Sequence, residues 1–156
     1  MGNPAENGYH AAYQQAIRLL SQREHSRYEL ATKISRKQDE LTADELNTLL
    51  DELEQSGYQD DQRFTEMFVR SSIARGHGPM KISYALRDKG IDESLAREAL
   101  DSADIDWLEQ ARYQREKKFG EEIPTDFKER ARQSKFLAGR GYFMDTINAT
   151  FDTTSQ

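Results

Sequence analysis

Asp60 and Asp61 are the sharpest candidates in the chain for acid/base chemistry. Two carboxyls converging in a cleft shift one another's pKa, so that one can act as acid and the other as base. Neighbours at i and i+1 on a helix start point in different directions, however, and this pair is expected to cap a helix rather than catalyse. Gly76-His77-Gly78 stands before a helix start at Pro79, where backbone N–H groups could hold an anion. It lacks the longer glycine pattern and Lys-Ser/Thr ending of a nucleotide loop, and no strand leads into it, so it reads as a turn. His77 has no orienting partner within sequence reach and is expected on a surface loop. His10, His25 and His77 are too scattered for a metal set, and without cysteine there is no thiolate nucleophile or sulfur-ligated metal. Trp107 shares a helical face with Ala111 and is expected in the core. No Ser-centred elbow or dinucleotide fingerprint is present. No catalytic residue, cofactor or metal ligand is therefore expected, and the chain reads as a non-enzyme.

The elements around these residues are helical. Tyr13, Ala16, Ile17 and Leu20 lie on one face of a first helix, expected from Tyr9 to near Glu24. Ser26 with Glu29 and Thr42 with Glu45 are capping-box patterns that open the second and third. Asp60-Asp61 opens a fourth with Phe64, Met67 and Phe68, Pro79 a fifth with Ile82, Ala85 and Leu86, and Asp92 a sixth with Ala96 and Leu100. Asp106 with Glu109 starts a seventh, whose Trp107, Leu108, Ala111 and Phe119 are plausible core. Thr125 or Asp126 starts an eighth marked by Phe127, Ala131 and Ser134, and Met144, Ile147 and Phe151 mark a short ninth. A helix-ending phrase recurs at Leu53 to Tyr58, Leu86 to Ile91 and Leu137 to Tyr142: a Leu, three mostly polar residues, a Gly and a large apolar residue. The Gly can take the left-handed conformation that satisfies the last carbonyls, while the apolar residue packs back on the final turn. The expected fold is all-α: three tandem three-helix repeats, of about 50 residues each, forming an elongated curved array. Its expected parts are a disordered segment 1–8, repeats over 9–57, 58–104 and 105–152, and a frayed tail 153–156.

Composition narrows the function classes. At 156 residues, 36% apolar and 32% charged, with a mean hydropathy of −0.92, the chain is expected to form amphipathic helices in water. No segment has the length of a membrane span or the pattern of a signal peptide, and the absence of cysteine fits a reducing compartment, so a cytoplasmic protein is expected. A net charge of −6 argues against a dedicated nucleic-acid binder, whose affinity comes mainly from neutralising phosphates. The charge is unevenly placed: Arg18–Lys37 carries net +4, Asp39–Glu66 net −9, Arg70–Lys89 net +4 and Ala111–Arg140 net +4. Such alternation suits a surface that docks on a partner of complementary pattern.

The phrase Gly57-Tyr58-Gln59-Asp60-Asp61-Gln62-Arg63-Phe64 resembles a signature of the RecX family, regulatory proteins of the bacterial recombinase RecA. Further stretches agree in order: Arg75-Gly76-His77-Gly78-Pro79 with Lys81-Ile82, Leu86 with Lys89-Gly90-Ile91, and Lys135-Phe136-Leu137 with Arg140-Gly141-Tyr142. The likeness runs from about Tyr13 to Phe151. It departs at His77, where similar proteins often carry an aromatic residue. The resemblance implies three tandem three-helix repeats and a binding activity in place of catalysis. It further implies a protein lodged in the groove of the RecA–DNA filament that inhibits ATPase, strand-exchange and co-protease action and limits filament growth, damping the SOS response. The residues expected to meet the filament are Arg63, Arg70, Arg75, Lys81, Arg87, Lys89, Lys135 and Arg140. The expected partner is the RecA filament, with possible DNA contact through it, engaged by a monomer and with no membrane involved. An alternative reading is a direct DNA-binding helical module, since short helices joined by Gly turns are similar to helix-turn-helix units. A third is a helical scaffold for some other protein.

Overall fold

The computed structural model describes residues 4–153. Within them the chain forms α1 (Pro4–Gln22), α2 (Arg27–Lys37), α3 (Ala43–Gln55), α4 (Asp61–Ala74), α5 (Pro79–Asp88), α6 (Glu93–Ser102), α7 (Trp107–Phe119), α8 (Phe127–Gly139) and α9 (Met144–Ala149), with no strand among the described residues. The fold is all-α, built of repeated three-helix units. Helix α1 begins at Pro4, within the segment 1–8 that the sequence reading set apart from the repeats. Residues 1–3 and 154–156 lie outside the described residues, and with them most of the expected frayed tail.

The caps follow local chemistry. Ser26 and Thr42 form complete capping boxes with Glu29 and Glu45. Asp106 accepts the Glu109 N–H, and Asp126, rather than Thr125, accepts that of Glu129. Helices α1, α2 and α3 pack on one another around Ala12, Ala16, Leu30, Ile34, Leu49, Leu50 and Leu53, all buried. Helices α7, α8 and α9 do the same around Ala111, Leu137, Tyr142, Ile147 and Phe151.

The chain divides into two compact units, Met1–Met67 with Leu86–Leu95, and Phe68–Ala85 with Ala96–Gln156. Helices α4, α5 and α6 each give one end to either unit. Both units contain the same kind of junction between turns. In the first, the Ser26 hydroxyl accepts the Glu29 N–H and donates to the Lys89 carbonyl at 2.8 Å, bringing the α1–α2 turn onto the α5–α6 turn. In the second, the Gly78 N–H donates to the Arg140 carbonyl at 2.7 Å and the Met80 N–H to the Gly141 carbonyl at 2.9 Å, bringing the α4–α5 turn onto the α8–α9 turn. The Tyr142 hydroxyl adds a 2.9 Å bond to the Gly76 carbonyl. In each case a helix N-terminus meets carbonyls exposed by a Gly turn.

Two apolar markers are not core. Phe127 is 84% exposed and Met144 57% exposed, while α8 buries Gln133 and Leu137. The buried face of α7 carries Ala111 and Arg115, one turn apart. Trp107 is partly buried against the third trio's cluster and meets Tyr142 edge-on, with ring centroids 6.5 Å apart.

Gly141 has φ 96°, and a Cβ there would stand 2.6 Å from the backbone N of Lys81. Gly57 has φ 78° with nothing within 4 Å. Gly57→Ala is expected to cost only the conformational strain, about 1–2 kcal/mol. Gly141→Ala must also push α5 from the turn, so its loss is expected to be larger. Urea midpoints of the two variants followed by circular dichroism check this; equal losses would show that the close approach is not a constraint.

Candidate functional site

The acids at the head of the recognised phrase do separate tasks. Asp60 Oδ1 accepts the N–H groups of Gln62 and Arg63 at 2.8 and 3.1 Å, which caps α4. Asp61 Oδ1 accepts the Arg27 N–H and the Gln59 side-chain amide, both at 2.9 Å, and so caps α2 from a distance in sequence. The two carboxylates do not converge on a common cleft atom, and the pair is structural. No group of His, Cys, Asp and Glu able to hold a metal occurs among the described residues, and no described helix is long and apolar enough to cross a membrane.

The eight cations expected at the partner surface divide by surroundings. In the first unit, Arg63 pairs with Glu24 at 3.1 Å and donates to the Tyr58 carbonyl, and the Glu24 hydrogen bond holds its pKa up. Lys89 gives its ammonium to Glu29 at 3.6 Å and its carbonyl to Ser26. These two are tied into the fold. Arg87, in the same unit, is exposed.

The second unit holds the other five. Arg140 donates to the Arg75 carbonyl at 3.4 Å, and its guanidinium lies 5.0 Å from the Phe136 ring centroid. Arg75 braces itself on the Ser71 carbonyl and the Ser72 hydroxyl, and Lys81 is exposed beside the Gly141 turn. The three converge on His77, whose pKa is lowered by burial and then by the charges of Lys81, Arg75 and Arg140. His77 therefore stays neutral near pH 7 and adds no charge. Arg70 and Lys135 are exposed in the same unit, and neither makes an ion pair among the described residues.

Three residues that the sequence did not single out extend this cationic surface. Tyr113, Lys117 and Lys118 on α7 line a groove of about 340 Å³ together with Arg75, Phe136 and Arg140. The only sequence signal was the basic balance of the Ala111–Arg140 block, which says nothing of its meeting Arg75. That block is also not uniformly solvated. Arg115 is 1% exposed, its Nη1 reaching the Gln133 amide oxygen at 3.3 Å and its guanidinium lying 5.3 Å from the Phe151 centroid.

Comparison with known proteins follows the same three trios. Family models described as the first, second and third three-helix domains of RecX match residues 12–46, 60–100 and 104–151. A regulatory protein RecX of Halorhodospira halophila is 42% identical over 134 residues, covering 86% of this chain and 82% of that protein. One from Cronobacter sakazakii is 33% identical over 156 residues, covering 95% and 94%. The crystal structure of RecX from Lactobacillus salivarius superposes with a TM-score of 0.77 over 93% of this chain and 95% of that one, at 21% identity, which speaks to the fold.

His25 supplies a pH test of the first junction. Its buried ring accepts from the Lys33 ammonium at Nε2, 3.1 Å away, while Nδ1–H donates to the Arg23 carbonyl at 3.0 Å. Burial lowers its pKa; the Arg23 carbonyl opposes that, the Arg23 and Lys33 charges reinforce it, and Glu29 opposes it. For Glu29, burial raises the pKa, but the bonds from Arg23 and the Ser26 N–H with the Arg23 and Lys89 charges outweigh it, and the net shift is down. Both folded pKa values lie below the unfolded ones, so both contributions are present at neutral pH and fade on acidification. His25 loses its share below pH 6.5 and Glu29 below pH 4.5. Unfolding midpoints measured from pH 7 to pH 4 are expected to fall in two stages, with the upper stage reduced in His25→Gln to the share that His77, shifted in the same direction, supplies. A flat midpoint above pH 5 would contradict this assignment.

Proposed function

Because this chain belongs to the RecX family of regulatory proteins, we propose that it binds the RecA–DNA filament and inhibits RecA ATPase, strand-exchange and co-protease activity, limiting filament growth. The observation that carries the reading to particular residues is the set of cations in the second unit that the fold leaves outward: Arg70, Lys81 and Lys135, beside Arg75 and Arg140. Charges already paired inside a protein add little to a partner contact, whereas exposed ones steer encounter and fix register. Arg63 and Lys89, although part of the recognised phrases, belong to the fold's own bonding. Arg87 remains in the proposed surface because it lies within the recurring phrase Leu86 to Ile91.

Docking on the filament explains inhibition without a reactive centre. A protein whose two compact units engage neighbouring subunits makes its second contact intramolecularly, which raises avidity. Holding subunits in one arrangement stops the cycling that hydrolysis and strand exchange require. The proposed setting is the cytoplasm, with the protein acting as a monomer and touching DNA only through the filament.

The direct test is DNA-stimulated ATP hydrolysis by the cognate recombinase with increasing amounts of this protein. The rate is expected to fall to a plateau, and an unchanged rate at saturation would reject the proposal. Arg70→Glu and Lys135→Glu are each expected to raise the concentration needed about fivefold, the equivalent of roughly 1 kcal/mol, with unaltered melting. Arg63→Ala is expected to act on melting instead, through loss of the Glu24 pair.

A further inference from the structure

The groove on the second unit has a composition that docking alone does not call for. Arg75, Lys117, Lys118 and Arg140 line about 340 Å³ with no carboxylate among the lining residues, and none of the four makes an ion pair among the described residues. Four like charges around one space repel one another, and an anion entering it relieves that repulsion. Phe136 serves as their floor: the Lys118 ammonium lies 5.4 Å and the Arg140 guanidinium 5.0 Å from its centroid. Tyr113 is different. Only Lys117 approaches its ring, at 5.9 Å, and the residue is 59% exposed, which leaves ring surface for a planar group to stack upon.

We propose that this groove binds a nucleoside polyphosphate, with the phosphates among Arg75, Lys117, Lys118 and Arg140 and the base against Tyr113. The space is within the range of small-molecule sites, roughly 300–1,000 Å³, and a lone phosphate would leave most of it unfilled. A nucleic-acid strand offers the same phosphate and base, but a long polyanion also meets the field of a chain of net charge −6, whereas a small ligand samples the local cations. The free nucleotide is therefore the favoured source.

Binding is measured on the whole chain alone, by calorimetry, with ATP, inorganic triphosphate and a thymidine oligonucleotide as probes. No recombinase is present, so failure here leaves the filament reading standing, and failure of that reading leaves this one standing. ATP is expected to bind at one saturable site, tighter than triphosphate. Tyr113→Ala should weaken ATP about fivefold or more and leave triphosphate unchanged. The double variant Lys117→Glu with Lys118→Glu should abolish binding of both, and Lys37→Glu, an exposed residue of the first unit that is not part of the groove lining, should change neither. No saturable ATP binding, or ATP binding indifferent to the double variant, would overturn the proposal. Equal affinity for ATP and triphosphate with a silent Tyr113→Ala would reduce the groove to a simple anion site and overturn the nucleotide assignment. Binding confined to the oligonucleotide would overturn the free nucleotide as its source.

Discussion

A helix N-terminus donating into the carbonyls of a Gly turn is the contact on which both units are built. The last carbonyls of a helix have no partner within it, and a residue of positive φ turns them outward where another segment can reach. Lys89 O and Arg140 O are such carbonyls, each one residue before a glycine, and Ser26 and Gly78 are the donors that find them. Each bond is worth only about 1 kcal/mol net. What makes the junction restrictive is proximity: an added Cβ at Gly78 would lie 2.5 Å from the Gly141 carbonyl carbon, and one at Gly90 would lie 2.5 Å from the Tyr28 Cβ. Backbones that meet this closely fix the register of the helices behind them. The apolar clusters then need only fill the space those registers leave.

The same constraint decides which charges remain available to a partner. Lys89 lies at the first junction and is drawn to Glu29, which also accepts the Ser26 N–H that its capping box requires. Arg140 sits at the second junction and is partly held, by the Arg75 carbonyl on one side and the Phe136 face on the other. Arg70 and Lys135 lie mid-helix, away from either junction, and keep their charge in solvent. A basic residue beside a glycine turn is thus present as much for the turn as for any ligand, and a recurring phrase in sequence marks architecture before it marks a binding site.

What the sequence made legible is what closes within a few residues. The Ser26–Glu29 and Thr42–Glu45 boxes, the Pro79 start and the turns at Gly57, Gly90 and Gly141 each follow from atoms at most five positions apart, and all appear in the structure. The all-α class rests on them. The pairings Asp61 with Arg27, Ser26 with Lys89 and Tyr142 with Gly76 join different turns, and no local rule selects those partners. The groove was invisible for that reason, since Lys117 and Lys118 belong to one helix while Arg75 and Arg140 belong to two distant turns. Which face of α8 turns inward was not legible either, although its start was. Phe127 marks a helix start but not its inner face.

That limit has a physical source in how the third trio fills its interior. Aromatic rings there are faced by cations as well as by hydrocarbon: Phe151 has Arg115 at 5.3 Å and Arg130 at 4.5 Å, and Phe119 has Arg132 at 4.8 Å. A guanidinium stacked on a ring buries its flat faces while its edge donates, as Arg115 does to Gln133 and the Glu122 carbonyl. Burial lowers the Arg115 pKa, with Glu116 opposing and Arg112 reinforcing, but arginine starts so high that it stays charged. A buried charge without a carboxylate costs stability that a leucine would not. It also makes α7 and α8 look solvated in sequence, because positions that count as polar are doing the packing. Cations in this trio therefore meet rings in two settings: Arg115 is buried against Phe151, whereas Lys118 and Arg140 lie over Phe136 while lining the groove.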